Sequence, residues 1–179
     1  MGMSASTEMP YFIKPSVNLS AEDKAAAYSQ AYGAIVATLG EETDETLKMV
    51  TINCLLKTYL PYYYWVGFYL VRNGKLVVGP YQGTLGCLYI DFGRGVCGTV
   101  AATGTTKIVH DTHALEQGKE HIACDPNSRS EIVLPVRRAD GSLLGVFDVD
   151  STLEGSFDEV DQRWLERILG VFVRRDSLG

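Results

Sequence analysis

Four cysteines could carry thiol chemistry, and three of them lie in or beside predicted loops. Cys87 follows Gly-Thr-Leu-Gly, Cys97 lies in the Gly-rich turn 93–98 at a predicted helix start, and Cys124 lies in a polar loop. Three loop thiols can supply both a nucleophile and a resolving partner for thiol–disulfide exchange. Cys54 instead lies on a predicted apolar helix face, where a small buried hydrophobic residue is expected.

The local sequence favours Cys97 as the nucleophile, but only weakly. A reactive thiol needs a lowered pKa, from a helix N-terminus or from a nearby cation. Cys97 is near a helix start and has Arg94 close in sequence, whereas Asp125 beside Cys124 disfavours a thiolate there. A structural zinc site is not favoured, because only His121 and Cys124 have a spacing close to that of metal ligands.

Carboxyl groups form a second set of candidates. Asp148 and Asp150 end one predicted strand and project from the same face, and Glu131 begins the neighbouring predicted strand. Adjacent carboxylates repel, so at least one of them is expected to hold a raised pKa or to face a cation. A protonated carboxyl there could donate a proton and an ionised one could bind an ammonium group. The alternative is an ordinary solvent-exposed strand end.

An aromatic segment could form the wall of a small pocket. Trp65, Gly67 and Tyr69 are expected on one face of a strand, with Gly67 leaving room beside the rings. The other face is expected to carry Tyr64, Val66 and Phe68. Plain core packing explains Trp65 at least as well as a pocket does.

The elements that position these groups indicate an α+β fold. The pattern predicts two amphipathic helices, about six strands with a short helix inserted, and a final helix. Asn73-Gly74 between two apolar strands predicts a tight hairpin. Adjacent hairpins imply a central, mostly antiparallel sheet. The N- and C-terminal helices are expected to cover one face, with loops and the short helix on the other.

Two details of the helices are also predicted. Capping boxes are expected at Ser20–Asp23 and at Ser156–Glu159. The second helix is expected to bury the face formed by Leu47, Val50, Thr51, Cys54, Leu55 and Thr58.

Length and charge limit the protein classes that fit. The 179 residues suit one domain, expected over residues 19–179 after a loosely ordered arm at 1–18. A net charge of −6 without a basic excess argues against nucleic acid or an anionic membrane as the main partner. The sequence has no apolar run long enough to span a membrane and no signal-peptide pattern, so free thiols in the cytoplasm are expected.

Six motifs occur in an order that points to one family. They are Trp65-Val-Gly-Phe-Tyr69, Gly79-Pro-Tyr-Gln-Gly83, Gly93-Arg-Gly-Val-Cys-Gly98, His121-Ile-Ala-Cys-Asp125, Ser130-Glu-Ile-Val-Leu-Pro135 and Gly145-Val-Phe-Asp-Val-Asp-Ser151. Together they resemble the free methionine-(R)-sulfoxide reductases, which are single GAF-domain enzymes. The resemblance covers nearly the whole chain beyond the N-terminal arm.

This resemblance implies a GAF-like fold and a specific set of roles for the cysteines. Cys124 would attack free methionine-(R)-sulfoxide and become a sulfenic acid. Cys87 would then form a disulfide with it, and Cys97 would be an alternative or second relay. Thioredoxin or a similar external dithiol would restore the thiols, with no bound cofactor.

The same reaction assigns roles to the acids and the rings. Glu131 and Asp150 would protonate or hydrogen-bond the sulfoxide oxygen, and Asp148, helped by Asp150, would bind the substrate ammonium group. Backbone N–H groups of Ile122, Ala123 and Cys124 would bind the substrate carboxylate. Contacts to the S-methyl group would come from Trp65 and Tyr69.

Two questions stay open at the level of sequence. A GAF module that senses a ligand and regulates a partner, without catalysis, is the main alternative. The oligomeric state is undetermined, with a homodimer as one option. The segment 115–120 before His121 is also a few residues longer than the family leads us to expect.

Overall fold

The computed structural model describes residue 15 and residues 17–115 and 124–173, and the structural statements below concern these residues. The helices are α1 (Ala21–Leu39), α2 (Glu45–Tyr59), α3 (Gly95–Thr103) and α4 (Glu159–Leu169). The strands are β1 (Trp65–Arg72), β2 (Lys75–Gln82), β3 (Tyr89–Asp91), β4 (Lys107–Val109), β5 (Ser130–Arg137) and β6 (Leu143–Ser151). Within these ranges no helix has both the length and the apolar character that crossing a membrane requires.

The six strands form one antiparallel sheet in the order β3-β2-β1-β6-β5-β4, which confirms the predicted fold class. Asn73 and Gly74 both have positive φ, at 50° and 76°, as a two-residue hairpin turn between β1 and β2 requires. The register places Trp65 opposite Asp150, and Asp150 in turn opposite Glu131. The sheet therefore aligns the predicted aromatic and acidic groups across three neighbouring strands.

Each face of the sheet has its own apolar layer. On one face α1, α2 and α4 bury a large cluster that includes Ile35, Leu56, Phe68, Phe147 and Leu165. On the other face α3 covers a smaller cluster that includes Trp65, Tyr69, Val100, Val133 and Val146. Burying each such side chain stabilises the fold by roughly 1.5–3 kcal/mol before entropy is counted. The helical layer is thus the main core, and the α3 side is where the sheet can present polar groups.

The predicted apolar face of α2 is wrong. The residues that α2 buries are Met49, Ile52, Asn53 and Leu56. The side chains of Leu47, Val50 and Cys54 are exposed. Apolar residues occur all round this helix, so two helical stripes fit the sequence equally well. The stripe that packs inward includes Asn53, whose Nδ2 donates to the carbonyl of Pro80 at 2.8 Å.

At the helix starts, the N-cap of α1 is confirmed without the reciprocal bond of a capping box, and the second capping box lies elsewhere than predicted. Ser20 caps α1 by accepting a hydrogen bond from the backbone N–H of Asp23 at 3.1 Å. The second capping box is not at 156–159, because α4 is capped by Asp158 with Asp161 in the return position. The Ser156 hydroxyl is instead held by a hydrogen bond to the side chain of Asn18.

A buried ion pair joins the first and last helices. The Lys24 ammonium lies 2.7 Å from Asp161 and 2.9 Å from Asp158. Asp161 also accepts hydrogen bonds from the hydroxyls of Tyr28 and Tyr62. Such a network tolerates the loss of a member poorly, since the remaining charge would be buried without compensation. It fixes α1 and α4 to the segment that leads into β1.

Candidate active site

A cavity opens on the face of the sheet that α3 covers. Its empty space is about 550 Å³, part of which is open solvent at its mouth. Seven of the residues predicted for the site line it: Trp65, Tyr69, Cys97, Cys124, Glu131, Asp148 and Asp150. Ile122 and Ala123, with His121 before them, lie outside the described residues.

The two cysteines named by the family resemblance are joined at this cavity. Cys87 and Cys124 form a disulfide, with their Cα atoms 5.4 Å apart. Cys124 is exposed and lines the cavity, while Cys87 is half-buried in the 83–88 loop between β2 and β3. Two segments separated by 37 residues in sequence thus meet through their sulfur atoms.

The three predicted carboxyl groups converge inside the cavity. Glu131 and Asp148 are only 5% and 6% exposed, and Asp150 accepts a hydrogen bond from the Ser128 hydroxyl. Burial, together with repulsion from Asp150, raises the pKa of Glu131 well above its usual value. Burial also raises the pKa of Asp148, with repulsion from Glu131, and the pKa of Asp150, with repulsion from Asp148. The cluster therefore binds protons at a pH where ordinary carboxyl groups are ionised.

Cys97 is also in the cavity wall, but as a poor nucleophile. Its thiol is buried and hydrogen-bonded to Asp148. Burial, followed by the charges of Asp148, Glu131 and Asp150, raises the pKa of Cys97 well above its usual value. A protonated thiol reacts slowly. Burial and these carboxyl groups therefore argue against the inference from local sequence that favoured Cys97 as the nucleophile.

Cys97 and two of these carboxyl groups could together bind a metal ion. The Cys97 thiol and the carboxyls of Glu131 and Asp148 offer ligand atoms within 4.8 Å of one another. All three pKa values are raised, so a metal would have to displace protons before binding. The expectation that the protein uses no metal stays a prediction.

The aromatic wall is built around Trp65. Its ring stacks on Tyr69 and Tyr81, with centroids 5.7 Å and 5.0 Å away, and its Nε1 donates to the carbonyl of Thr84 at 2.9 Å. A Cβ at Gly67 would come within 2.3 Å of the Cβ of Tyr81 and 2.8 Å of the Trp65 ring. Glycine is therefore required there, and the predicted face shared by Trp65, Gly67 and Tyr69 is confirmed.

Tyr64 was predicted on the wrong face. Val66 and Phe68 pack into the helix-covered core as expected, but Tyr64 lines the cavity and donates from its hydroxyl to Asp125 at 3.0 Å. β1 begins at Trp65, so the alternation of strand side chains does not extend to Tyr64.

Asp125, next to Cys124, connects the two cysteine loops. It accepts hydrogen bonds from Tyr64, from the Thr84 hydroxyl at 2.6 Å, and from the backbone and side-chain N–H groups of Asn127, both at 2.8 Å. Burial acts to raise the pKa of Asp125, but these hydrogen bonds outweigh it and hold the pKa below its usual value. Because Thr84 belongs to the 83–88 loop, the carboxylate of Asp125 holds Cys124 beside Cys87. The sequence predicted a polar loop here but not this contact.

Replacing Asp148 with Asn should stabilise the protein at alkaline pH. A carboxyl whose pKa is raised by folding adds stability below the unfolded pKa of about 3.9, and this is lost as pH rises through the raised value. The Tm of Asp148→Asn should therefore exceed that of the wild type at pH 8, by about 2–4 °C for each kcal/mol of destabilisation that the substitution removes. The difference in Tm should disappear near pH 4. Thermal unfolding across this pH range measures it.

Asp91→Asn is the matched control, because Asp91 is exposed and makes a surface ion pair with Lys75. Such pairs contribute little, so its Tm should follow the wild type at every pH. A Tm for Asp148→Asn below that of the wild type at pH 8 would show that Asp148 is not under electrostatic strain.

The comparison with known proteins agrees with this geometry. Residues 60–172 match the GAF domain family, and the chain belongs to it. A free methionine-R-sulfoxide reductase of Escherichia coli strain K12 is 38% identical over 133 residues, which are 74% of this chain and 78% of that protein. A Dictyostelium discoideum relative named GAF domain-containing protein A is 39% identical, over 86% of this chain and 94% of its own length.

A solved structure extends the similarity to three dimensions. It is the free methionine-R-sulfoxide reductase of Neisseria meningitidis in complex with its substrate, 40% identical with a TM-score of 0.78. The match covers 89% of this chain and 93% of that one. The predicted resemblance to these reductases is therefore confirmed.

Proposed function

We propose that this protein reduces free methionine-(R)-sulfoxide to methionine, using Cys124 as the nucleophile and Cys87 as the resolving thiol. The observation that carries the proposal is the Cys87–Cys124 disulfide beside a cavity lined by the carboxyl groups of Glu131, Asp148 and Asp150. This disulfide is the oxidised product that the reaction would leave. The names of the similar proteins point to the same substrate.

The first step is transfer of the sulfoxide oxygen to Cys124. The Cys124 thiolate attacks the sulfoxide sulfur, methionine leaves with its sulfur reduced, and Cys124 becomes a sulfenic acid. The sulfoxide sulfur of the substrate is a good electrophile only when the sulfoxide oxygen is protonated or strongly hydrogen-bonded. Glu131 and Asp150 supply that proton, since their raised pKa values favour the protonated form of each carboxyl.

The acid cluster also suits the amino-acid part of the substrate. Three neighbouring carboxyls, of which Glu131 and Asp148 are buried, resist full ionisation, and an incoming ammonium group relieves this by neutralising one negative charge. Asp148, whose Oδ1 lacks a hydrogen-bond partner within the described chain, is placed to bind that ammonium. Asp150, two residues further along β6, assists it.

The substrate carboxylate has two candidate receptors. One is the set of backbone N–H groups at Ile122, Ala123 and Cys124. The other is the N-terminus of α3, where Arg94 and Gly95 line the cavity and the helix dipole favours an anion. The apolar side chain of the substrate, with its S-methyl group, contacts Trp65 and Tyr69.

The second step removes the oxygen as water. The Cys87 thiol attacks the sulfenic acid of Cys124, forms the disulfide and releases water, so that two thiols have supplied the two electrons that reduce the sulfoxide. Asp125 favours this step by holding the two loops together. An external dithiol, of the thioredoxin type, then reduces the disulfide and completes the cycle.

Incubation with racemic methionine sulfoxide and dithiothreitol tests the proposal. Methionine should appear by amino-acid analysis, only from the R epimer and only up to half of the racemic substrate. A GAF sensor would bind a ligand and release no methionine. Lack of methionine from a folded, fully reduced sample would disprove the proposed function.

A further inference from the structure

We infer that the exposed apolar side chains of residues 85–92, here called the 85–92 surface, form the docking site for a protein dithiol that reduces the Cys87–Cys124 disulfide. This inference rests on the proposed function, because it concerns the last step of the same cycle. It adds a location and a chemical character to the partner that step requires.

Exposed apolar residues are concentrated in this stretch. Of the eight large apolar side chains that are exposed in the described part of the chain, four lie here: Leu85, Leu88, Tyr89 and Phe92. Leu85, Leu88 and Tyr89 are 71%, 60% and 67% exposed. Single exposed apolar residues need no explanation, but four within eight residues of chain around Cys87 are a candidate interaction site.

The position of the 85–92 surface identifies its occupant. Cys87 lies inside the stretch and carries one of the two sulfurs that a reductant must reach in every cycle. A permanently bound second copy of this chain would cover that sulfur. A protein that docks transiently, with its own thiol directed at the disulfide, satisfies both the exposure and the chemistry.

The edge of the sheet favours such an encounter. β3 pairs only with β2 among the described strands, so Tyr89 lies at an edge of the sheet, while the Asp91 carbonyl already accepts a hydrogen bond from the Arg94 N–H. The exposed ion pair between Lys75 and Asp91 borders the same strand and gives the apolar residues a polar rim. An apolar centre with a polar rim is typical of protein interfaces.

The redox step balances with a dithiol alone. A thiolate of the partner attacks one sulfur of the Cys87–Cys124 disulfide, and the other sulfur leaves as a thiolate. The partner's second thiol then displaces the first from the mixed disulfide. Two electrons and two protons pass from the partner to this protein, and the partner retains a disulfide.

The test compares a protein reductant with a small one. The oxidised protein is mixed with reduced thioredoxin or with dithiothreitol, without sulfoxide, and free Cys87 and Cys124 are counted over time by alkylation and mass spectrometry. In the double variant Leu88→Ser/Tyr89→Ser the rate with thioredoxin should fall at least tenfold. The rate with dithiothreitol should stay within twofold of the wild type, because a small dithiol needs no docking surface.

The matched control is Leu47→Ser/Val50→Ser, which removes two similarly exposed apolar side chains from α2, at 49% and 42% exposure. Its rates with both reductants should equal those of the wild type. An unchanged thioredoxin rate in Leu88→Ser/Tyr89→Ser would overturn the inference. A parallel loss with dithiothreitol would also overturn it, since the variant would then act on the disulfide itself.

Two further readouts complete the test. If sedimentation shows that the Leu88→Ser/Tyr89→Ser variant changes oligomeric state without slowing reduction by thioredoxin, the surface joins copies of this chain and the inference fails. The proposed function is judged separately, by methionine release with dithiothreitol. The inference about docking can therefore be disproved while the proposed reductase activity is confirmed.

Discussion

Replacing Cys124 with Ser should abolish methionine production, by at least about a thousandfold, with the fold intact. A serine hydroxyl is not ionised near neutral pH and cannot form a sulfenic acid, so the first step is lost rather than slowed. Cys124 is exposed at the cavity, so the substitution creates no packing defect. Methionine release with dithiothreitol measures the effect, and far-UV circular dichroism checks the fold.

Two cysteine variants serve as controls. Cys54→Ser, on the exposed side of α2, should keep full activity. Cys97→Ser should keep activity within about tenfold of the wild type, because Cys97 is a buried, protonated neighbour of Asp148 and does not attack the substrate. Full activity in Cys124→Ser together with loss of activity in Cys97→Ser would show that the nucleophile is assigned to the wrong residue.

Replacing Glu131 with Gln should slow turnover by about a hundredfold to ten-thousandfold, the usual contribution of a general acid. The amide can still hydrogen-bond to the sulfoxide oxygen but cannot give it a proton. Since burial, with repulsion from Asp150, raises the pKa of Glu131, the variant also removes a source of repulsion and should fold at least as stably. Steady-state kinetics with dithiothreitol measure the loss.

The pH profile separates this role from a structural one. The wild-type rate depends on a protonated carboxyl, so it should fall as pH rises through the raised pKa of Glu131. In Glu131→Gln this decline should flatten or shift, since the group that titrates is absent. Glu41→Gln, at an exposed position between α1 and α2, should retain both the wild-type rate and the wild-type profile. A Glu131→Gln variant as fast as the wild type would exclude Glu131 as the acid.

The sheet could be predicted because its signals are local. Asn73-Gly74 fixes one hairpin, and strand alternation places Trp65 with Tyr69 and Asp148 with Asp150. The meeting of these groups with Glu131 depends on strand pairing, which the order of the predicted hairpins already suggested. The family resemblance added the choice of Cys124 over Cys97, which stays a prediction, and the structure pairs Cys124 with Cys87.

What the sequence failed to predict depends on contacts between distant segments. The buried side of α2 was misassigned because apolar residues surround that helix, and only packing against the hairpin through Asn53 selects the inward stripe. The role of Asp125 was missed because its partners Tyr64 and Thr84 lie 61 and 41 residues away in sequence. The raised pKa of Cys97 follows from its burial and from carboxyl groups on other strands, neither of which its local sequence shows.

A single turnover without added reductant tests the central claim most directly. Fully reduced protein is mixed with excess free methionine-(R)-sulfoxide, methionine is counted per chain, and the cysteine pairing is mapped by mass spectrometry. We expect one methionine per chain and a disulfide between Cys87 and Cys124, with the same result in Cys97→Ser. Methionine formed while Cys124 remains a free thiol would contradict it.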